Sequence, residues 1–180
     1  MLQNFRYAAM PIVLMWVVFI ANFFVPADLR YYGIHPRQAD YLSGIVLMPF
    51  LHGNLPHLAA NSSALIVLLY LSLTYSRRQT ITVSLIICLI GGGFVWLLGE
   101  ANSIHIGASG LIFGLIGYLL FIGVFRHEWK AFFLSVLVSF LYGGAFFSLL
   151  KFVPGISWTG HFFGFLSGIL AAWTLRNSRR

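Results

Sequence analysis

Six apolar runs, each close to the length at which a helix crosses a bilayer, leave this chain little choice of fold. They fall at about 8–25, 57–75, 79–98, 104–125, 131–150 and 156–175. A crossing takes about 20 mostly apolar residues for a hydrocarbon core of roughly 30 Å. With 59% hydrophobic and only 8% charged residues, the 180-residue chain cannot cover a water-facing surface with polar groups. Backbone groups in lipid must be hydrogen-bonded within the protein, so the spans are helices or a closed barrel. These runs are too long and too continuous for barrel strands, which alternate over about ten residues. The expected fold class is all-α: a polytopic, six-helix membrane bundle, one domain over residues 1–180.

The net charge of +7 is explained by its placement. With six spans both termini share a side, and that side collects Arg6, Arg77, Arg78, Arg126, Lys130, Arg176, Arg179 and Arg180 against one acid, Glu128. The other side holds Arg30, Arg37 and Lys151, offset by Asp28, Asp40 and Glu100. Positive charge stays on the cytoplasmic side, so both termini are expected there, in the plasma (inner) membrane of a prokaryote. Trp96 and Trp158 near the outer ends, and Trp129 and Trp173 near the inner ends, fit interfacial belts. No basic run interleaved with aromatics suggests a nucleic-acid groove. The first run exceeds the usual signal-peptide core of about 7–15 residues, so it is read as an uncleaved span. The single cysteine, Cys88, falls within the third span and is read as packing.

Most connections are short polar turns, among them residues 151–155. The exception is the outer loop 26–56, about thirty residues against a usual 4–6. It carries Tyr31, Tyr32, Tyr41 and the apolar stretch 45–51, too short to span and suited to the headgroup level. Glycine recurs at helix-packing intervals, as Gly110 and Gly114 in the fourth run and Gly160, Gly164 and Gly168 in the sixth. Small residues let helix backbones approach where lipid removes the hydrophobic drive. The fourth and sixth helices are therefore expected to touch.

Polar side chains in three runs fall at one depth. The second, fourth and sixth helices all descend from the outer side, bringing His57 and Asn61 (i and i+4, one face), Ser109 and His161 to the same layer. An intramembrane histidine is costly and marks function by default. A serine nucleophile needs a base within reach and donors aimed at the oxyanion. His161 fits the base, and the Ser109 backbone N–H with the His57 and Asn61 side chains fits the oxyanion hole. Asp28, Asp40 and Glu100 lie in outer loops and Glu128 on the other side, so no carboxylate orients the imidazole and a Ser–His dyad is expected. Phe113, one turn below Ser109, is placed to present a ring to His161. Gly107 and Gly110 suit close approach of a substrate backbone, and His105 is a candidate substrate contact at the wet rim. His52 is read as a loop hydrogen-bonder, and His35 and His127 as solvent-facing. No histidine pair has zinc-like spacing with a nearby carboxylate, so no metal is expected.

The strings "PFLHGNLPHLAAN" (49–61), "HIGASGLIFG" (105–114) and "GHFFGFLSG" (160–168), in that order among six spans, resemble the rhomboid intramembrane serine proteases over nearly the whole chain. The resemblance implies Ser109 as nucleophile, His161 as base and His57 and Asn61 as oxyanion side chains. It also implies transmembrane protein substrates cut within or beside a helix, with small residues before the cut and no cofactor. Two departures stand out. Tyr41-Leu42-Ser43-Gly44 occupies the loop stretch where many members carry a Trp-Arg pair. Gly160 and Phe113 stand where members often have Ala and Tyr. Two other classes stay open: a non-enzymatic rhomboid-like protein that escorts membrane helices, and a small transporter lined by His57, Asn61 and His161.

Overall fold

The structure, a computed structural model, describes residues 1–148 and 157–178. Six long helices organise them: α1 (Leu2–Ala21), α2 (Leu55–Tyr75), α3 (Arg77–Leu98), α4 (Ser109–Arg126), α5 (Trp129–Ser148) and α6 (Trp158–Thr174). The first four are long and apolar enough to cross a membrane, and the apolar part of α5, Trp129–Ala145, is shorter. Among the described residues there is no strand, only one isolated antiparallel bridge between Ile34 and His105. The expected turn at 151–155, Lys151, the adjoining ends of the spans 131–150 and 156–175, and Arg179 and Arg180 lie outside the described residues.

Helix α4 is the central post. Of its residues 67% are buried, against 11% along the apolar stretch of α1, and α2, α3, α5 and α6 all pack on it. Burial on every side explains why its sequence is apolar all round instead of striped. Leu115, Ile116, Tyr118, Leu119 and Ile122 are fully enclosed. Because lipid tails are as apolar as leucine, close contact between helices holds such a bundle. The α4–α6 seam has that contact: a methyl built on Gly164 would fall on the Gly110 carbonyl, and one on Gly168 on the Gly114 carbonyl. The two backbones therefore touch, as the glycine spacing predicts. Helix α3 joins the seam through a π-helical turn, Ile87–Gly91, where Ile87 covers Gly114 and Gly91 meets α6 at Phe163 and Ser167.

The end opposite the serine carries a buried polar clasp. The Arg126 guanidinium donates to the Tyr75 hydroxyl (3.1 Å) and to the Leu175 (2.9 Å) and Ser178 carbonyls. Glu128 lies 3.7 Å from it and accepts from Tyr75 (3.2 Å). These bonds tie α2, α4 and the end of α6 together.

Helices differ from the apolar runs at two starts. Helix α1 begins at Leu2, ahead of the expected residue 8, because the polar residues Gln3, Asn4 and Arg6 are accommodated in its first turns, with Asn4 donating to the Leu73 carbonyl (3.4 Å). Helix α4 begins at Ser109, five residues later than the run 104–125 implies. Residues 104–108 cannot be helical, because His105 spends its backbone on Ile34 and Gly107 has φ +107°.

The long loop is pinned to the bundle. Its Leu29–Tyr32 turn is capped by Asp28, whose carboxylate pairs with Arg30 at 2.7 Å and is thereby held below its ordinary pKa. Arg37 donates to the Leu97 (3.0 Å) and Gly99 (2.9 Å) carbonyls, which closes the C-terminal end of α3, where a cation is favoured. Trp96 returns a bond to the Gln38 carbonyl (3.0 Å). The stretch 45–51 forms a short helix, Gly44–Leu47, and the turn Met48–Phe50, with Met48 and Leu51 inward and Val46 and Leu47 exposed. The expected solvent-facing placement of His35 does not hold. His35 is buried, because its ring stacks on Tyr41 (3.9 Å between centroids) and its Nε2 donates to the Tyr31 carbonyl (2.8 Å).

Candidate active site

Three helix starts meet at one end of the bundle. Helix α2 opens with Asn54, whose side chain accepts the His57 N–H at 2.8 Å, and Leu55-Pro56, where a proline's missing N–H costs nothing. His57 and Asn61 follow on one face. Helix α4 opens with Ser109 as its first residue, and the Ile112 N–H bonds to the Ala108 carbonyl (3.0 Å). The Ser109 N–H precedes that ladder, so it lacks an intrahelical acceptor and sits at the positive end of the helix dipole. Helix α6 opens with Ser157, whose hydroxyl accepts the Gly160 N–H at 3.1 Å, and His161 completes its first turn.

Ser109, His57, Asn61, Phe113 and His161 all line one cavity of about 1140 Å³. Gly107 sets how closely they approach. Its N–H bonds to the Met48 carbonyl at 2.9 Å, its φ of +107° suits glycine alone, and a methyl there would stand 2.7 Å from the His57 ring and 3.3 Å from Asn61 Nδ2. The His161 ring stacks on Phe113, with centroids 4.2 Å apart and planes within 19°. Among the described residues no hydrogen bond joins Ser109 to His161. Gly110 turns to α6 instead of the cavity, 3.3 Å from the Gly160 carbonyl by its built methyl.

His52 proves to be tied to this layer. Asn61 Nδ2 donates to His52 Nε2 at 3.0 Å, which fixes the amide's rotation, leaves its second hydrogen free, and puts the His52 proton on Nδ1. That Nδ1 is buried and has no hydrogen-bond partner among the described residues. Burial, with His57 nearby, lowers the His52 pKa to about 4, so the ring is neutral. His105 lines the same cavity. It is buried, and bonded through both ring nitrogens to Ser103 and Ser157. Spacing gives no hint of either role, since the His52–Asn61 and His105–Ser157 bonds each join separate segments. Glu100, Ser103 and Thr159 also line the cavity. The clue to them in sequence is that few polar residues flank the outer helix ends.

Comparison with known proteins points to one family. The family model described as Rhomboid domain matches residues 39–178. The chain is 33% identical over 177 residues to an uncharacterized protein of Mycobacterium tuberculosis, covering 94% of this chain and 74% of that one. It is 37% identical over 157 residues to an uncharacterized protein of Mycobacterium leprae, covering 82% and 62%. It is 28% identical over 179 residues to a protein of Acanthamoeba polyphaga mimivirus named as a rhomboid protein, covering 92% and 88%.

Proposed function

The chain belongs to the rhomboid family, and from that premise we propose that it is an intramembrane serine endopeptidase that cleaves transmembrane segments of other membrane proteins. One observation carries the reading: a serine, a histidine on an aromatic ring, and a His–Asn pair from three separate helices line a single cavity. In the proposed reaction Ser109 Oγ attacks the substrate carbonyl while His161 takes the hydroxyl proton. The oxyanion is held by the Ser109 N–H, the His57 ring N–H and the free hydrogen of Asn61. His161 passes the proton to the leaving amine as the C–N bond breaks. Water, deprotonated by His161, then attacks the acyl ester and restores Ser109. Each lost oxyanion donor typically costs about 2.7–4 kcal/mol. Among the described residues no carboxylate bonds to the His161 ring, although Glu100 lines the same cavity, and the Phe113 ring sets the imidazole plane. Hydrogen bonds of such dyads often tighten only when substrate is bound.

All six helices would cross the membrane as one rhomboid unit over residues 1–180. Arg6, Arg77, Arg78, Arg126, Lys130 and Arg176 gather at the end away from the cavity, which supports termini in the cytoplasm and a cavity at the outer face of a plasma (inner) membrane under the positive-inside rule. A substrate helix must unwind locally to present its peptide bond, which favours small and helix-breaking residues at the cut. The test uses purified protein in detergent with a labelled transmembrane substrate. Cleavage by the wild-type chain and none by Ser109→Ala or His161→Ala supports the dyad. Undiminished cleavage by either variant defeats it.

A further inference from the structure

Ser109 and His161 ride on different helices, and the approaches to the two are joined by one side chain. His105 lies four residues before Ser109, and Ser157 four residues before His161. The His105 ring is buried, with 6% of the residue exposed. Its Nδ1 stands 2.6 Å from Ser157 Oγ and its Nε2 2.9 Å from Ser103 Oγ. Its backbone is fixed as well, exchanging bonds of 3.0 and 2.9 Å with Ile34.

The available protons give each bond in this series a direction. The Ser103 hydroxyl donates its one hydrogen to the Glu100 carbonyl at 2.6 Å, so it meets Nε2 only as an acceptor, and Nε2 carries the ring proton. Burial holds the His105 pKa below the ordinary imidazole value, so the ring is neutral and Nδ1 is a bare lone pair. Ser157 must then donate to it. With its hydrogen so placed, Ser157 Oγ accepts the Gly160 N–H at 3.1 Å, and its carbonyl accepts the His161 N–H at 3.2 Å. One imidazole thus fixes the hydroxyl and, through it, the helical turn that bears the base. The Phe113 stack constrains the plane of the His161 ring and leaves its position along the helix axis to that turn.

We propose that His105 is a positioning residue: by accepting the Ser157 hydroxyl it sets the first turn of α6, and with it His161, against the loop that presents Ser109. The inference rests on the protease reading above. Misplacement of a catalytic group by 1 Å can cost on the order of 10²-fold in rate.

The test compares His105→Ala, His105→Asn, His105→Gln, Ser157→Ala and the double Ala variant on a labelled single-span substrate. The rate of Ser109 labelling by a fluorescent fluorophosphonate is a second readout. Asparagine places an oxygen where Nδ1 was, and glutamine reaches the Ser103 side instead. The expected result is a kcat about tenfold or more lower in His105→Ala, His105→Gln and Ser157→Ala with KM nearly unchanged. Labelling slows in parallel, His105→Asn stays within about threefold of wild type, and the double variant is no worse than the weaker single. Wild-type kcat in His105→Ala, a change in KM alone, rescue by Gln and not Asn, or additive losses in the double variant overturns the inference and leaves the protease reading standing. A wild-type chain that neither cleaves nor is labelled overturns both. Should the Ala variants fail to fold, the Asn and Gln pair decides by itself.

Discussion

Substitution of Gly107 by alanine puts the proposed oxyanion hole under the most direct stress. Two costs follow from the geometry. Alanine at φ +107° leaves the regions open to L-residues, a strain of about 1–3 kcal/mol. The new methyl would stand 2.7 Å from the His57 ring, well inside the 3.5–4.0 Å of ordinary carbon contact, and such overpacking typically costs about 1–3 kcal/mol. Together they destabilise by about 2–6 kcal/mol if the site holds its shape. If the His57 ring moves away, part of that strain is released and a proposed oxyanion donor leaves its place, with kcat falling about 10²–10³-fold. The control is Gly110→Ala, on the other side of Ser109. Its methyl meets the Gly160 carbonyl and the end of the flexible Met48 side chain at 3.3 Å, and alanine gains about 1 kcal/mol in helix propensity. Thermal midpoints in detergent and kcat on a labelled transmembrane substrate are measured for both. A Gly107→Ala chain with an unchanged midpoint and kcat within about threefold of wild type refutes the proposed oxyanion geometry.

The seam, the aromatic stack and the loop histidine make further predictions. Gly168→Ala drives a methyl into the Gly114 carbonyl and should cost about 2–4 kcal/mol, read as a lowered unfolding midpoint. An equally large loss from alanine at Gly93, which has open space around it, would count against backbone contact as the cause. Phe113→Ala removes a stack worth about 0.5–1.5 kcal/mol and should lower kcat several-fold, while Phe113→Tyr keeps it, as steady-state kinetics would show. For His52 the folded pKa of about 4 lies below the ordinary imidazole value of 6.5. The unfolded chain therefore takes up the proton first as pH falls, so this contribution is complete above about 6.5, declines towards 4 and is flat below. It amounts to at most about 3 kcal/mol. His52→Gln retains an acceptor for Asn61 and should flatten the midpoint-versus-pH curve in that window. An identical curve in the variant would remove His52 as its source.

The helical architecture could be read from the residues because its signals are periodic or compositional. Apolar runs of span length marked α2 and α3 to within two residues, and Gly110, Gly114, Gly164 and Gly168 announced the α4–α6 contact at four-residue intervals. The stack of Phe113 on His161 followed from placing the two at one depth. What could not be read depends on single side chains meeting across loops. Residues 104–108 are as apolar as a helix turn, yet Ile34 captures the His105 backbone. His35 sits in a polar loop, yet Tyr31 and Tyr41 enclose it. His52 reaches Asn61, and His105 reaches Ser157, between segments that no repeat or heptad relates. Such pairings are settled by the packed whole, and local preference is silent about them.

Where Gly164 and Gly168 press on the carbonyls of Gly110 and Gly114, no side-chain cushion separates the two rods. A hydroxyl and an imidazole mounted on rods in bare contact move as one instrument. Whatever yields to admit a bulky guest must belong to the surrounding segments, and this paired spine should be the last part of the assembly to lose its alignment on warming.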